Sequence, residues 1–235
     1  MARIVFCSAL PQEIQFLGRR LGIRIPGRGP VSIEHVIPGG PVVTLAVSGI
    51  GRERMSRLLS ALNRQPVDLW ISVGFAGGLD PHLRTGDLLE GTAVRTAEGD
   101  LGSFSKEGRL EKASSSILYC SNRIISTPLE KRELYEQAGA AAVDMESAEV
   151  AKHARSRGEP FTWIRVISDT AEEGIPPVLP QCIGANGFPS ARAALRVLIK
   201  HPLSLPLLLR HARRSRRCGR LLADRALPWL ERFET

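Results

Sequence analysis

Acidic side chains occur at three places where the chain leaves an apolar run and enters a helical one. In Val143-Asp144-Met145-Glu146 the small and β-branched residues from Ala140 onward read as a buried strand, and Ala148, Ala151 and Ala154 then recur at helical spacing. The run Phe161 to Ile167 ends in Ser168-Asp169, and Arg3 to Cys7 leads through Pro11 to Glu13 in the first turn of a helix. Open α/β sheets gather ligand-contacting groups beyond the carboxyl ends of their strands, where such acids can pass protons to and from a substrate. Each acid alone also has an ordinary explanation, because a carboxylate in a first helical turn is favoured by the helix dipole. The chemical reading rests on their recurrence, with neighbouring strand ends aiming acids at one crevice.

Positioning these groups requires strands that alternate with helices. Strands are expected at 3–7, 42–47, 67–73, 88–94, 116–120, 140–143 and 161–167. Helices are expected after Pro11, from about Arg52 to Asn63, from Pro128 to Gly139 and from Ser147 to Arg157. A three-layer α/β fold follows. Val31 to Ile37 is a weak strand in a Gly/Pro-rich setting, Thr96 to Ala113 reads as a polar loop, and Glu172 to Gly187 reads as a lid. Ser48-Gly49-Ile50-Gly51 invites a dinucleotide-binding reading and fails it. The fingerprint needs a third glycine where Arg54 stands and an acid at the next strand end, where Ser72 and Val73 stand. Gly74-Phe75-Ala76-Gly77-Gly78 would let backbone approach a ligand closely, or would simply pack a turn on a neighbouring strand.

At 235 residues the chain fits one α/β domain over 1–199, followed by a basic amphipathic helical tail over 200–235. The net charge of +8 is mostly in that tail, where nine Lys or Arg against three acids leave +6 and the body about +2. No run reaches the roughly 18 apolar residues of a membrane span, and the N-terminal run lacks the flanks of a signal peptide. Cys7, Cys120, Cys182 and Cys218 are scattered, as reduced thiols of a cytoplasmic protein would be. His35, His82, His153, His201 and His211 have no ligand spacing, so neither a metal nor a cofactor is expected.

Taken together, Ala9-Leu10-Pro11-Gln12-Glu13, Ser48-Gly49-Ile50-Gly51, Gly74-Phe75-Ala76-Gly77-Gly78-Leu79-Asp80, Val143-Asp144-Met145-Glu146 and Arg165-Val166-Ile167-Ser168-Asp169 resemble the nucleoside phosphorylase superfamily, in particular its methylthioadenosine/S-adenosylhomocysteine nucleosidase branch. The resemblance implies a mixed, mostly parallel sheet flanked by helices, usually in a homodimer or larger homo-oligomer. It also implies cleavage of a purine N-glycosidic bond. Asp169, oriented by Ser168, would protonate the purine, Glu146 would hold the ribose with Met145 against the sugar, and Glu13 would activate water. Phe75, Ala76, Gly77, Ile125 and Arg165 would complete the substrate site. Where phosphorylases carry Gly-Asp-Pro-x-Arg, this chain has Ala-Leu-Pro-Gln-Glu, which favours water because Glu13 would repel a phosphate dianion. Phosphate stays open as a co-substrate through Gly51 and Arg52.

Two departures bear on the substrate. The chain is short between the Gly-Gly-Leu loop and Met145-Glu146, which would admit a bulkier 5′ group. The tail sets six arginines from Arg210 to Arg220 beside Leu221, Leu222, Leu227, Trp229, Leu230 and Phe233. It reads either as an element for an anionic membrane surface or as helices that pack their leucines on the body. Both departures are similar to the hopanoid-associated branch, which removes adenine from adenosylhopane. The alternatives are a methylthioadenosine/S-adenosylhomocysteine nucleosidase or futalosine hydrolase, and a non-catalytic membrane or nucleic-acid binding protein. Nucleic acid is not expected as a partner, because aromatic residues are not interleaved with the arginines.

Overall fold

The computed structural model describes residues 1–62, 65–101 and 116–233. Its first half comprises β1 (Arg3–Ser8), α1 (Pro11–Arg20), β2 (Val31–Val36), β3 (Val42–Val47), α2 (Arg52–Ala61) and β4 (Leu69–Gly78). The middle holds β5 (Leu88–Gly91), β6 (Ala93–Thr96), β7 (Gly99–Asp100), β8 (Ile117–Cys120), α3 (Pro128–Ala138), β9 (Ala142–Asp144) and α4 (Ser147–Ser156). The chain finishes with β10 (Phe161–Asp169), α5 (Ala191–Lys200) and α6 (Leu205–Glu231).

One mixed sheet runs β2-β3-β1-β4-β9-β8-β6-β7, with β10 joining β4 to β5. The pairs β1–β3, β1–β4, β10–β4, β6–β8 and β8–β9 are parallel, whereas β2–β3, β10–β5, β4–β9 and β6–β7 are antiparallel. Side chains alternate across a strand, and the sequence exploits this on both faces. Ile4 and Phe6, Ile71 and Val73, and Ile164 and Val166 join one core with α1 and α6. Val5 and Cys7, Trp70 and Ala76, and Trp163 and Ile167 join the other with Met55 of α2 and Ala151 of α4. These are the layers of a three-layer α/β fold.

β4 organises the site. Its first residues lie beside β1 and β10, while Gly77 and Gly78 pair with Val143 and Ala142 of β9. The ends of β9 and β10 therefore flank one strand, and the acids at those ends converge.

The single strand expected over 88–94 is two. Its first half pairs with β10 and its second with β8, and the break falls at Thr92, just after Gly91, where a Cβ would lie 2.7 Å from the Trp163 ring. Residues 99–100, expected in a loop, form β7; residues 102–113 of that expectation lie outside the described residues. The α2 helix stops at Ala61 rather than at Asn63, which also lies outside them. The tail divides its apolar residues. Leu222, Trp229 and Leu230 are buried in the core with α1, whereas Leu195, Ile199, Leu203, Leu205 and Leu209 stand exposed. No helix among the described residues is long and apolar enough to cross a membrane.

Candidate active site

A cavity of about 200 Å³ lies beyond the ends of β4, β9 and β10. Glu13, Phe75, Ala76, Gly77, Ile125, Met145, Glu146, Ser168 and Asp169 line it, so most of the residues expected from sequence share one surface. Arg165, Arg52 and Gly51 do not line it.

Glu13 sits at the third position of α1 because Pro11 starts that helix. One of its carboxylate oxygens, Oε2, accepts the N–H of Leu10 at 2.7 Å, and Oε1 accepts the N–H of Phe75 at 2.9 Å. Burial pushes its pKa up to about 7, against the pull of those N–H groups and of Arg165. Glu146 caps α4 by position, with Oε1 accepting the N–H of Gly51 at 2.6 Å. Its pKa is pushed up to about 8, by burial first and by the charge of Asp144 second. Two carboxyl groups with raised proton affinity at one cavity are the kind of pair that divides acid and base work.

Asp144, equally near the cavity, has a different task. It accepts the N–H and hydroxyl of Ser147 at 3.0 and 2.7 Å and pairs with Arg165 Nη2 at 2.5 Å. Arg165 also donates to Ser72 Oγ and to the carbonyls of Ser72 and Ile164. Arg165 is therefore support beneath the site, tying β10 and β4 to the junction of β9 and α4. Arg52 is committed to Glu149, at 2.8 Å, and to Asn122.

Asp169 ends β10. Ser168 Oγ donates to its Oδ1 at 2.6 Å, and Lys131 Nζ donates to its Oδ2 at 2.5 Å. Arg214 of α6 clamps the segment beyond, donating to Ser168 O and to both oxygens of Glu173 at 2.9 Å. Lys131 and Arg214 were not anticipated. Lys131 lies in a charged helix with no apolar stripe to mark an inner face, and Arg214 is one of six arginines in a short run. Ile50, Ile124 and Ile175 complete the apolar wall. Among the described residues, no three His, Cys, Asp or Glu side chains are set to hold a metal ion.

A family model described as the phosphorylase superfamily matches residues 3–116 and 105–179. A 5′-methylthioadenosine/S-adenosylhomocysteine nucleosidase of Baumannia cicadellinicola is 30% identical over 196 residues, covering 70% of this chain and 85% of its own. Another, of Colwellia psychrerythraea, is 24% identical over 193 residues, covering 68% and 79%. Among solved structures, a Helicobacter pylori MTAN mutant holding 5′-methylthioadenosine superposes with a TM-score of 0.67 at 18% identity, over 99% of this chain and 100% of that one. The futalosine hydrolase of the same organism gives 0.68 at 18% identity, over 99% and 98%. These structural likenesses establish the fold.

Proposed function

The chain belongs to the phosphorylase superfamily, and from that premise we propose that it cleaves the N-glycosidic bond of a purine nucleoside and releases adenine. The observation that carries this reading is the meeting of Glu13, Glu146 and the Ser168-Asp169 pair around one largely apolar cavity. A purine leaves ribose readily only when a ring nitrogen gains a proton as the bond breaks. Asp169, held by Ser168, supplies that proton. Glu146 bonds the ribose hydroxyls and favours the positive charge that builds on the sugar, with Met145 against the ring. Phe75, Ala76, Gly77 and Ile125 receive the base, and Glu13 accepts the proton of the attacking water.

Water is the proposed nucleophile. Arg52 is held by Glu149, the N–H of Gly51 is taken by Glu146, and Glu13 would repel a phosphate dianion. Phosphorolysis is the alternative that the assay below separates.

The proposed 5′ group is an apolar lipid, as in the adenosylhopane of hopanoid biosynthesis, met at the inner face of a membrane by a homodimer or larger homo-oligomer. Two observations support it. Leu195, Ile199, Leu203, Leu205 and Leu209 stand exposed on and between α5 and α6. Between Glu173 and Asp224 the chain carries nine Lys or Arg and no acid, which suits anionic lipid. A smaller 5′ group is the second reading, favoured by the relatives named for 5′-methylthioadenosine. The test is adenine release from adenosine carrying a 5′-methylthio or a long 5′-alkylthio group, with and without phosphate. Phosphate-independent release, faster from the long-chain substrate, is the expected result. A sugar 1-phosphate product would make the enzyme a phosphorylase, preference for the methylthio compound would establish the second reading, and no adenine from either would end the proposal.

A further inference from the structure

Asp169 as proton donor needs its proton restored on each turnover, yet both of its oxygens face donors. The donor on Oδ2 is unusual. Lys131 is wholly buried, and a buried ammonium is costly unless every proton finds a partner. Here all three do, on Asp169 Oδ2 at 2.5 Å, Thr170 O at 2.6 Å and Glu173 O at 2.8 Å. α3 is built to present it. Thr127 and Glu130 form a reciprocal capping box, Pro128 occupies the first turn, and Gly139 ends the helix in the left-handed conformation at φ 59°. Gly77 leaves room for the pair, since a Cβ there would lie 3.2 Å from Asp169 Oδ2 and 3.7 Å from Lys131 Cε.

We propose that Lys131 is a positioning residue that holds the transferable proton for Asp169, so that the general acid is the Lys131–Asp169 pair. The inference rests on the reading of Asp169 given above. Ammonium–carboxylate and amine–carboxylic acid are two placements of one proton along the Nζ–Oδ2 hydrogen bond. As the glycosidic bond breaks, the N–H bond at Nζ breaks and an O–H bond forms on Asp169. That proton passes to the leaving purine, whose ring keeps the electron pair of the C–N bond. Lys131 is left as a neutral amine, still donating its two remaining protons to the Thr170 and Glu173 carbonyls, and the pair takes a proton from solvent once the base has gone. Lysine suits this task because its compact ammonium can place one proton on a facing carboxylate oxygen, whereas a guanidinium does not part with its protons. The other groups near the pair are Ser168, the Glu173 carboxylate, and Arg214, His211 and Cys218 of α6. The charges of Glu173 and Arg214 are spent on each other.

The test is adenine release from the 5′-methylthio and long-chain 5′-alkylthio adenosines, followed as kcat and KM across pH for the wild type, Lys131→Met, Lys131→Arg, Asp169→Asn and the Lys131→Met/Asp169→Asn double variant. Lys131→Met is expected to lower kcat about 100-fold with KM little changed. The pH profile of kcat should differ from that of the wild type, because the proton is no longer shared between two groups. Lys131→Arg keeps the charge and should lose rate comparably. Adding Lys131→Met to Asp169→Asn should cost less than about twofold more. Thermal melts identify which single variant is folded, and either one suffices. A folded Lys131 variant with wild-type kcat and pH profile, or losses that multiply independently in the double variant, would overturn the inference. Near wild-type rate in Asp169→Asn would instead remove the general-acid reading on which it rests.

Discussion

A Cβ at residue 74 would lie 2.8 Å from Oε1 of Glu13, the same oxygen that accepts the N–H of Phe75. Gly74 and Glu13 thus fit together, and the glycine leaves the space that the carboxylate fills. Gly74→Ala should push Glu13 from its two backbone donors and lower kcat/KM about tenfold or more, for a stability loss of about 1–3 kcal/mol. Steady-state kinetics beside a thermal melt check this, and unchanged kinetics would separate Glu13 from the chemistry.

The raised proton affinity of Glu13 makes activity depend on pH. It must be ionised to accept the proton of water, so kcat/KM should rise with pH through about 7, where burial has pushed its pKa. Glu13→Gln, which cannot accept that proton, should abolish hydrolysis. A wild-type profile flat through that range would contradict the assignment.

The same shift affects stability. A carboxyl whose folded pKa lies above its unfolded value costs the folded state nothing below the unfolded value, near 4.5, and progressively more as pH rises through about 7 for Glu13 and about 8 for Glu146. Urea denaturation should find the protein less stable at about pH 9 than at about pH 5, with Glu13→Gln reducing that difference by about 2–3 kcal/mol. Equal pH dependence in both proteins would refute the coupling.

Asp144 and Arg165 are a buried pair, with side chains 2% and 3% exposed at 2.5 Å. Arg165→Met strands the Asp144 carboxylate and should destabilise by about 3–5 kcal/mol, more than any surface arginine change. A loss below about 1 kcal/mol in a denaturant titration would mean that the junction of β9 and α4 holds without it.

The tail can be tested residue by residue. Trp229→Ala should cost about 3–5 kcal/mol because its ring is buried in the core. Gly219→Ala should cost about 1–3 kcal/mol, since a methyl there overlaps the Gln12 carbonyl oxygen and would lift α6 from α1. Leu203→Ser, at a side chain 94% exposed, should stay within about 0.5 kcal/mol. Sedimentation with anionic vesicles should nevertheless fall for Leu203→Ser if the exposed leucines meet lipid. Vesicle binding that ignores both Leu203 and Leu209 would remove the membrane from the proposal.

Much of the site was legible along the chain because strand ends are local events. An apolar run that stops at Asp144 or Asp169, or a proline that starts a helix two residues before Glu13, marks a position at the rim of the sheet whatever the rest of the fold does. The near-continuous apolar runs of β1, β4 and β10 likewise mark strands buried on both faces, alternate residues joining opposite cores. Other assignments depended on which distant partner each group met. Asp144 and Glu146 stand two residues apart at one junction and both border the cavity, yet the first pairs with Arg165 and the second accepts the N–H of Gly51. Lys131 gained its place from a carboxylate thirty-eight residues away. Leu222 and Leu203 look alike in a leucine-rich tail, and α1 covers only the first. Neighbouring residues set where a strand or helix ends, whereas charge pairing and burial are settled by groups that only folding brings within a few ångströms.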